Sequence, residues 1–319
     1  MNACTIRSNT IAVVLDAPEL LALREVALSP VQDGDVVVEV EWSGISTGTE
    51  RLLYSGRMPP FPGMGYPLVP GYEAVGRIAQ CGRSVDRMPG ERVFVAGSRG
   101  FSAVRGLFGA AAAHLVVPAA RALAIGEGRE EGVLLALAAT ARHALAYPGA
   151  AAPDLIVGHG VLGRLLARLA LLSGAEPPTV WERSPVRAAG AEGYRVIDPA
   201  ADDRRDYRCI IDASGDAGLL DTLIARLAPG GEIVLAGFYS EPLSFAFPPA
   251  FLREARIRVA AEWRPDDLVA VRDAMAAGSL SLEGLVTHRA PAGDAENAYR
   301  TAFGDPACLK MVLDWRELA

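Results

Sequence analysis

A chain of 319 residues, 51% hydrophobic and 22% charged, is long enough for two ordinary domains and has none of the compositional marks of disorder. Its net charge of −7 gives no general attraction to nucleic acid, and without a basic-aromatic module no nucleic-acid partner is expected. Cys4, Cys81, Cys209 and Cys308 lie far apart with no CxxC pair, which argues against a disulfide framework and a cysteine-rich zinc site.

The N-terminal stretch lacks the basic region, apolar core and cleavage site of a secretory leader, so the chain is expected to stay in the cytoplasm. Residues 11–125 read as β-rich: "TIAVVLD", "DVVVEVEW", "EAVGRIAQCG", "ERVFVAG" and "AHLVVPA" are short apolar runs between Gly, Pro and Asp turns. In the second of these, Val38, Val40 and Trp42 alternate with Glu39 and Glu41 before the chain breaks into "SGISTGTE". His114 precedes a buried-type strand and reads as structural. The apolar run "EGVLLALAATARHALAY" is broken by Thr140, Arg142 and His143, well short of the roughly 20 apolar residues a spanning helix needs.

From about residue 127 helices alternate with short buried strands, the pattern of a parallel sheet covered on both faces. Six strands are expected, at "DLIVG", "TVWE", "YRVID", "RCIID", "EIVLAGF" and "RIRVAAEW". The fold class is therefore α/β, with a β-rich domain over 1–126, a doubly wound dinucleotide-binding domain over 127–263, and a return over 264–319 that completes the first domain.

Gly158-His159-Gly160-Val161-Leu162-Gly163 follows the first of those strands and opens an amphipathic helix. Gly158 permits the tight turn, Gly160 lets backbone approach a pyrophosphate, and Gly163 allows close packing of helix on strand. The free N–H groups of the helix start then face the phosphates. Leu162, Leu165, Leu166 and Leu169 are expected against the sheet, with Arg164 and Arg168 on the polar face. Glu182 ends the second strand about 20 residues beyond the turn, where an acid binds the adenosine ribose hydroxyls. Its carboxylate would repel a 2′-phosphate and favours NAD, although Arg183 beside it could accept one. Ser214, beyond the fourth strand, completes the candidate cofactor set.

A β-rich unit, a dinucleotide fold from mid-chain and a short return together resemble the medium-chain dehydrogenase/reductase superfamily over nearly the whole chain. The resemblance implies a GroES-like barrel beside a Rossmann sheet. The superfamily's two N-terminal landmark turns match "GISTGTE" (44–50) and "PGYEAVG" (70–76), with Ser46 where zinc-dependent members have a cysteine ligand and Tyr72 where they have a histidine. A third ligand would fall at Ala136, and the region from about 90 to 115 has no cysteine for a structural zinc loop. No metal is therefore expected, since neutral hydroxyls replace thiolate and imidazole poorly. Trp42 to Ile78 further resembles the branch that oxidises the 3-(1-hydroxyethyl) side chain of a (bacterio)chlorophyllide to 3-acetyl in bacteriochlorophyll synthesis.

What the resemblance implies, then, is an NAD-dependent alcohol dehydrogenase whose proton is handled by side chains. The candidates are Ser46, Thr49, Tyr72, Glu73 and His143, with Glu73 expected to have a raised pKa and Glu50 to cap a helix with Thr49. The stiff apolar loop 54–70 could rim a macrocycle pocket through Phe61, Met64 and Tyr66, with Arg51 or Arg57 on a propionate. A zinc-independent quinone or enoyl reductase and a non-catalytic pigment or nucleotide carrier are the alternatives. A homodimer through "RIRVAAEW" and a location peripheral to the photosynthetic membrane are further expectations of the same resemblance.

Overall fold

The computed structural model describes residues 8–60, 62–128, 130–146 and 151–319, and the chain forms two compact units, Met1–Leu135 with Leu285–Ala319, and Ala136–Gly284. Both limits fall later than the change of sequence pattern places them. Phe61, one of the expected pocket residues, lies outside the described residues.

The first unit begins with β1 (Asn9–Ala17), β2 (Leu20–Ala27) and β3 (Asp35–Ile45), followed by the short helix α1 (Thr49–Tyr54). It continues through β4 (Leu68–Val69), β5 (Ala74–Cys81), β6 (Arg92–Val95), β7 (Arg105–Gly106), β8 (His114–Pro118) and β9 (Ala122–Ala124). Val36, Val38 and Val40 of β3 are fully buried, as a half-buried strand requires. Trp42 continues the alternation only in part: it is half-buried, with the guanidinium groups of Arg92 and Arg316 5.4 and 5.0 Å from its ring centre. His114 is buried in β8, where its amide donates to Thr10 Oγ1 at 2.8 Å.

The second unit contains a six-stranded parallel sheet. Its strands are β10 (Leu155–Val157), β11 (Thr179–Trp181), β12 (Arg195–Ile197), β13 (Tyr207–Asp212), β14 (Leu227–Leu235) and β15 (Arg256–Val259), in the spatial order β12-β11-β10-β13-β14-β15. That is the order of a doubly wound dinucleotide fold, with the switch point between β10 and β13. The helices are α2 (Leu135–Leu145), which starts at the unit limit, α3 (Val161–Leu172), α4 (Pro185–Ala188), α5 (Leu220–Arg226), α6 (Phe247–Leu252) and α7 (Pro265–Ala276). Leu165, Leu166 and Leu169 of α3 are buried, each worth about 1.5–3 kcal/mol by area, while Leu162 is only half-buried.

The chain then returns to the first unit with β16 (His288–Pro291), α8 (Ala295–Gly304) and β17 (Met311–Asp314). The sheet order β16-β17-β3-β5-β6-β9 sets β3 between β5 and the return strand β17. The registers Val312↔Gly44 and Ser43↔Ala74 bring the residues preceding β17 and β5, Lys310 and Glu73, to the same end of β3. Among the described residues no helix is long and apolar enough to cross a membrane.

Candidate active site

At the end of β3, where its hydrogen-bond ladder stops, Ser46 Oγ lies 2.7 Å from Tyr72 OH. Both side chains are at least nine-tenths buried, and the Tyr72 ring packs edge-on to Phe108 with centroids 5.3 Å apart. Burial first, and the negative charge of Glu73 second, hold the Tyr72 phenol well above its ordinary pKa, against the opposing hydrogen bonds of Ser46 and Thr49. A phenol so held is a hydrogen-bond donor and not a base at neutral pH.

Glu73 is completely buried, and Lys310 Nζ donates to both of its carboxylate oxygens, at 2.9 and 2.6 Å. Burial raises its pKa above the ordinary carboxylate value, as expected, and the Lys310 ammonium offsets only part of that rise. A Cβ at residue 44 would stand 2.1 Å from Glu73 Oε2, so the carboxylate occupies space left free by Gly44. Lys310 has no neighbour in the sequence that signals a site, since its partner is 237 residues away.

Glu50 departs from expectation. The N-cap of α1 is Gly48 and makes no side-chain cap bond; Glu50 instead accepts the Ser46 amide at 2.8 Å on one oxygen and the Tyr299 hydroxyl at 2.7 Å on the other. Its side chain is fully buried without a directly bonded cation, and burial, the largest cause, pushes its pKa up to about 7. Glu50 and Tyr299 thus join Ser46, Tyr72, Glu73 and Lys310 in one buried polar group that sequence reading identified only in part.

His143 lies in the second unit, where its Nδ1 is 2.9 Å from Asp267 Oδ2 and Arg142 binds the other carboxylate oxygen. Asp267 is buried, and its pKa is lowered because its hydrogen bonds to the Arg264 amide, His143 and Arg142 together outweigh burial. The imidazole is therefore held by a carboxylate that anchors α7.

The glycine turn has the geometry its sequence requires. Gly158 has φ +95, and a Cβ at Gly163 would stand 1.8 Å from the Gly158 carbonyl oxygen. Gly160 is the N-cap of α3, with nothing within 4 Å of a Cβ built there. The fit to a dinucleotide pyrophosphate rests on this open cradle and on the free amides of the helix start.

Around the turn two expectations change. His159 is fully buried, its nitrogens 2.6 Å from Arg187 O and 2.8 Å from Tyr194 OH, and burial pushes its pKa down to about 4. Its ring is a neutral strut, its nitrogens engaged by Arg187 and Tyr194 and not by solvent. Arg164 is not on the polar face of α3 but buried, donating to the carbonyls of His159, Arg187, Ala189 and Gly190. Glu182 accepts the amides of His159 at 3.1 Å and Ser184 at 2.8 Å, which fixes its carboxylate at the end of β11. Arg183 beside it is exposed, with Asp216 at 3.9 Å. Ser214 is exposed, and its amide and hydroxyl both donate to Asp212 Oδ1.

Of the expected pocket residues, Arg51 and Arg57 are exposed, and Met64 and Tyr66 pack partly buried against the core of the first unit. The Tyr66 hydroxyl is turned inward onto the Leu53 carbonyl. Ala136 is fully buried, and among the described residues no group of three or more His, Cys, Asp or Glu side chains is disposed to hold a metal ion.

Residues 32–127 match the alcohol dehydrogenase GroES-like domain. The fold resembles an alcohol dehydrogenase from Escherichia coli in complex with NADH, with TM-score 0.82 and 23% identity over 97% of this chain and 100% of that one. It also resembles 2R,3R-butanediol dehydrogenase from Bacillus subtilis, with TM-score 0.81 and 20% identity over 96% and 99%. At the level of sequence, 60% of residues are identical to 2-desacetyl-2-hydroxyethyl bacteriochlorophyllide A dehydrogenase from Cereibacter sphaeroides, over 97% of this chain and 99% of the relative. Identity to the protein of the same name from Rhodobacter capsulatus is 56% over the same shares. The two landmark turns, the doubly wound sheet and this near full-length likeness agree: the chain belongs to the 2-desacetyl-2-hydroxyethyl bacteriochlorophyllide A dehydrogenase family, within the alcohol dehydrogenase-like medium-chain superfamily.

Proposed function

We propose that the chain oxidises the 3-(1-hydroxyethyl) group of a bacteriochlorophyllide to 3-acetyl, with a nicotinamide dinucleotide as oxidant and without zinc. The observation that carries this reading is the Ser46–Tyr72 hydroxyl pair, 2.7 Å apart and buried at the positions of two zinc ligands in related dehydrogenases. The relatives' names supply the substrate class.

The dinucleotide would lie on Gly158, Gly160, the α3 start with Val161 and Leu162, and Glu182, and when bound it supplies the two-electron acceptor. Glu182, held by two backbone amides, supports NAD over NADP because its carboxylate disfavours a 2′-phosphate. Ser46 and Tyr72 hold the alcohol oxygen, with Thr49 hydrogen-bonded to Tyr72 as a third hydroxyl. Glu73 stays bound by Lys310 and fixes the turn that carries Tyr72.

An unpaired edge strand and a nearby apolar surface support a homodimer: β15 ends the sheet, with Val259 72% exposed and Phe247, Phe251 and Leu252 also exposed. A cytoplasmic enzyme at the photosynthetic membrane surface fits a macrocyclic, poorly soluble substrate. The test is incubation of chelator-treated protein with the 3-hydroxyethyl macrocycle and NAD. A shift of the long-wavelength absorption band with equimolar NADH is the expected outcome, and absence of turnover with both nicotinamide cofactors refutes the reading.

A further inference from the structure

Two buried carboxyls stand near the Ser46–Tyr72 pair, and their surroundings differ. Glu73 has both oxygens on the Lys310 ammonium, which opposes the rise that burial gives its pKa. Glu50, equally buried, has only an amide and a phenol as direct partners. The groups that act on it are the Ser46 amide, Tyr299 from α8, the Glu73 carboxylate and, through space, Lys310. Two acids thus share one cation, so one of them can carry a proton without leaving an unpaired charge in the interior.

We propose that Glu50 is a proton-storing positioning residue, which takes up the hydroxyl proton as the alcohol is oxidised and later returns it to water, while Glu73 stays paired with Lys310. This rests on the alcohol-oxidation reading above. The carbinol C–H bond breaks with its electron pair going to the oxidised nicotinamide, the O–H bond breaks, and the C=O bond forms. One proton is then left to move. It passes along the Tyr72 and Ser46 hydroxyls toward Glu50, whose Oε1 accepts the amide of the same Ser46. A pKa near neutrality suits a group that must both accept and release the proton.

Infrared difference spectra of the full chain, taken without substrate from pH 5 to 9, test the storage directly. A protonated-carboxyl stretch should vanish as pH rises through neutrality in the wild type, be absent in Glu50→Gln, and persist in the paired variant Glu73→Gln with Lys310→Met. Tyr299→Phe, which removes a donor to the charged form, should move the titration to higher pH. Persistence of the band in Glu50→Gln, or no shift in Tyr299→Phe, overturns the assignment.

With the macrocyclic alcohol and NAD, the acid limb of the kcat/KM profile should flatten in Glu50→Gln with a loss on the order of 10²-fold, and return in shifted form in Glu50→Asp. An unchanged limb overturns the proton role. If no variant and no wild type oxidises the alcohol, the functional reading fails while the infrared assignment is decided independently.

Discussion

Lys310 and Glu73 form an ion pair with side chains 1% and 0% exposed, held by two hydrogen bonds across 237 residues of chain. Removing one partner strands a charge in the interior. Lys310→Met should therefore cost about 3–5 kcal/mol of unfolding free energy in urea titrations, and adding Glu73→Gln should recover most of that loss. Equal destabilisation by the single and double variants would mean that Lys310 contributes packing and not charge compensation.

Tyr72→Phe and Ser46→Ala each delete one member of the hydroxyl pair. A lost hydrogen bond to a buried partner is worth about 1–3 kcal/mol, so kcat/KM should fall roughly 10- to 100-fold with the cofactor KM unchanged. Steady-state kinetics with the macrocyclic alcohol measures both constants, and an unchanged kcat/KM in Tyr72→Phe would remove that hydroxyl from the reaction.

Glu50 gives stability a pH dependence of definite sign. Its pKa is raised from 4.5 to about 7 in the folded chain, so between these values the native state binds more protons than the unfolded one. Stability from this group is complete below about pH 4.5, falls as pH rises through 7, and is level above; the total is about 3 kcal/mol. Chemical denaturation at pH 5 and pH 8 should show that decline in the wild type and a much smaller one in Glu50→Gln.

Two glycines of the cofactor turn separate folding from binding. Gly163→Ala puts a Cβ 1.8 Å from the Gly158 carbonyl oxygen, whereas Gly160→Ala meets nothing within 4 Å. Gly163→Ala should lower the melting temperature and abolish dinucleotide binding. Gly160→Ala should stay within about 0.5 kcal/mol of wild-type stability yet weaken binding more than about tenfold, as read by calorimetric titration.

Val259, exposed on the edge strand β15, is the position at which to test the dimer. Val259→Lys places a charge on that edge, and sedimentation should show a monomer with the fold intact. A Val259→Lys variant that sediments as the wild type does would rule out this edge as the interface.

The second unit was largely legible because its signals are local: the glycine turn, the strand before it and Glu182 lie within one continuous stretch. The hydroxyls of Ser46 and Tyr72 were legible from two short turns. Their partners were not, since Glu50 meets Tyr299 across 249 residues and no periodicity marks such a pairing. Glu50 was expected as a cap because an acid at a helix start usually serves its own helix; tertiary burial took it elsewhere. Arg164 followed the same course: helical spacing assigned it to a polar face, but four backbone carbonyls made burial tolerable.

The return segment carries a consequence for synthesis on the ribosome. Dinucleotide-unit residues Ala136–Gly284 are contiguous and can fold as soon as they emerge, whereas β3 must wait for β17, which follows that whole unit in the chain. Until then Glu50 and Glu73 lack Tyr299 and Lys310, their partners from that segment. A message truncated between the codons for Gly284 and Lys310 would thus yield a chain with the dinucleotide unit whole and the reaction site unfinished, a natural substrate for quality-control proteases.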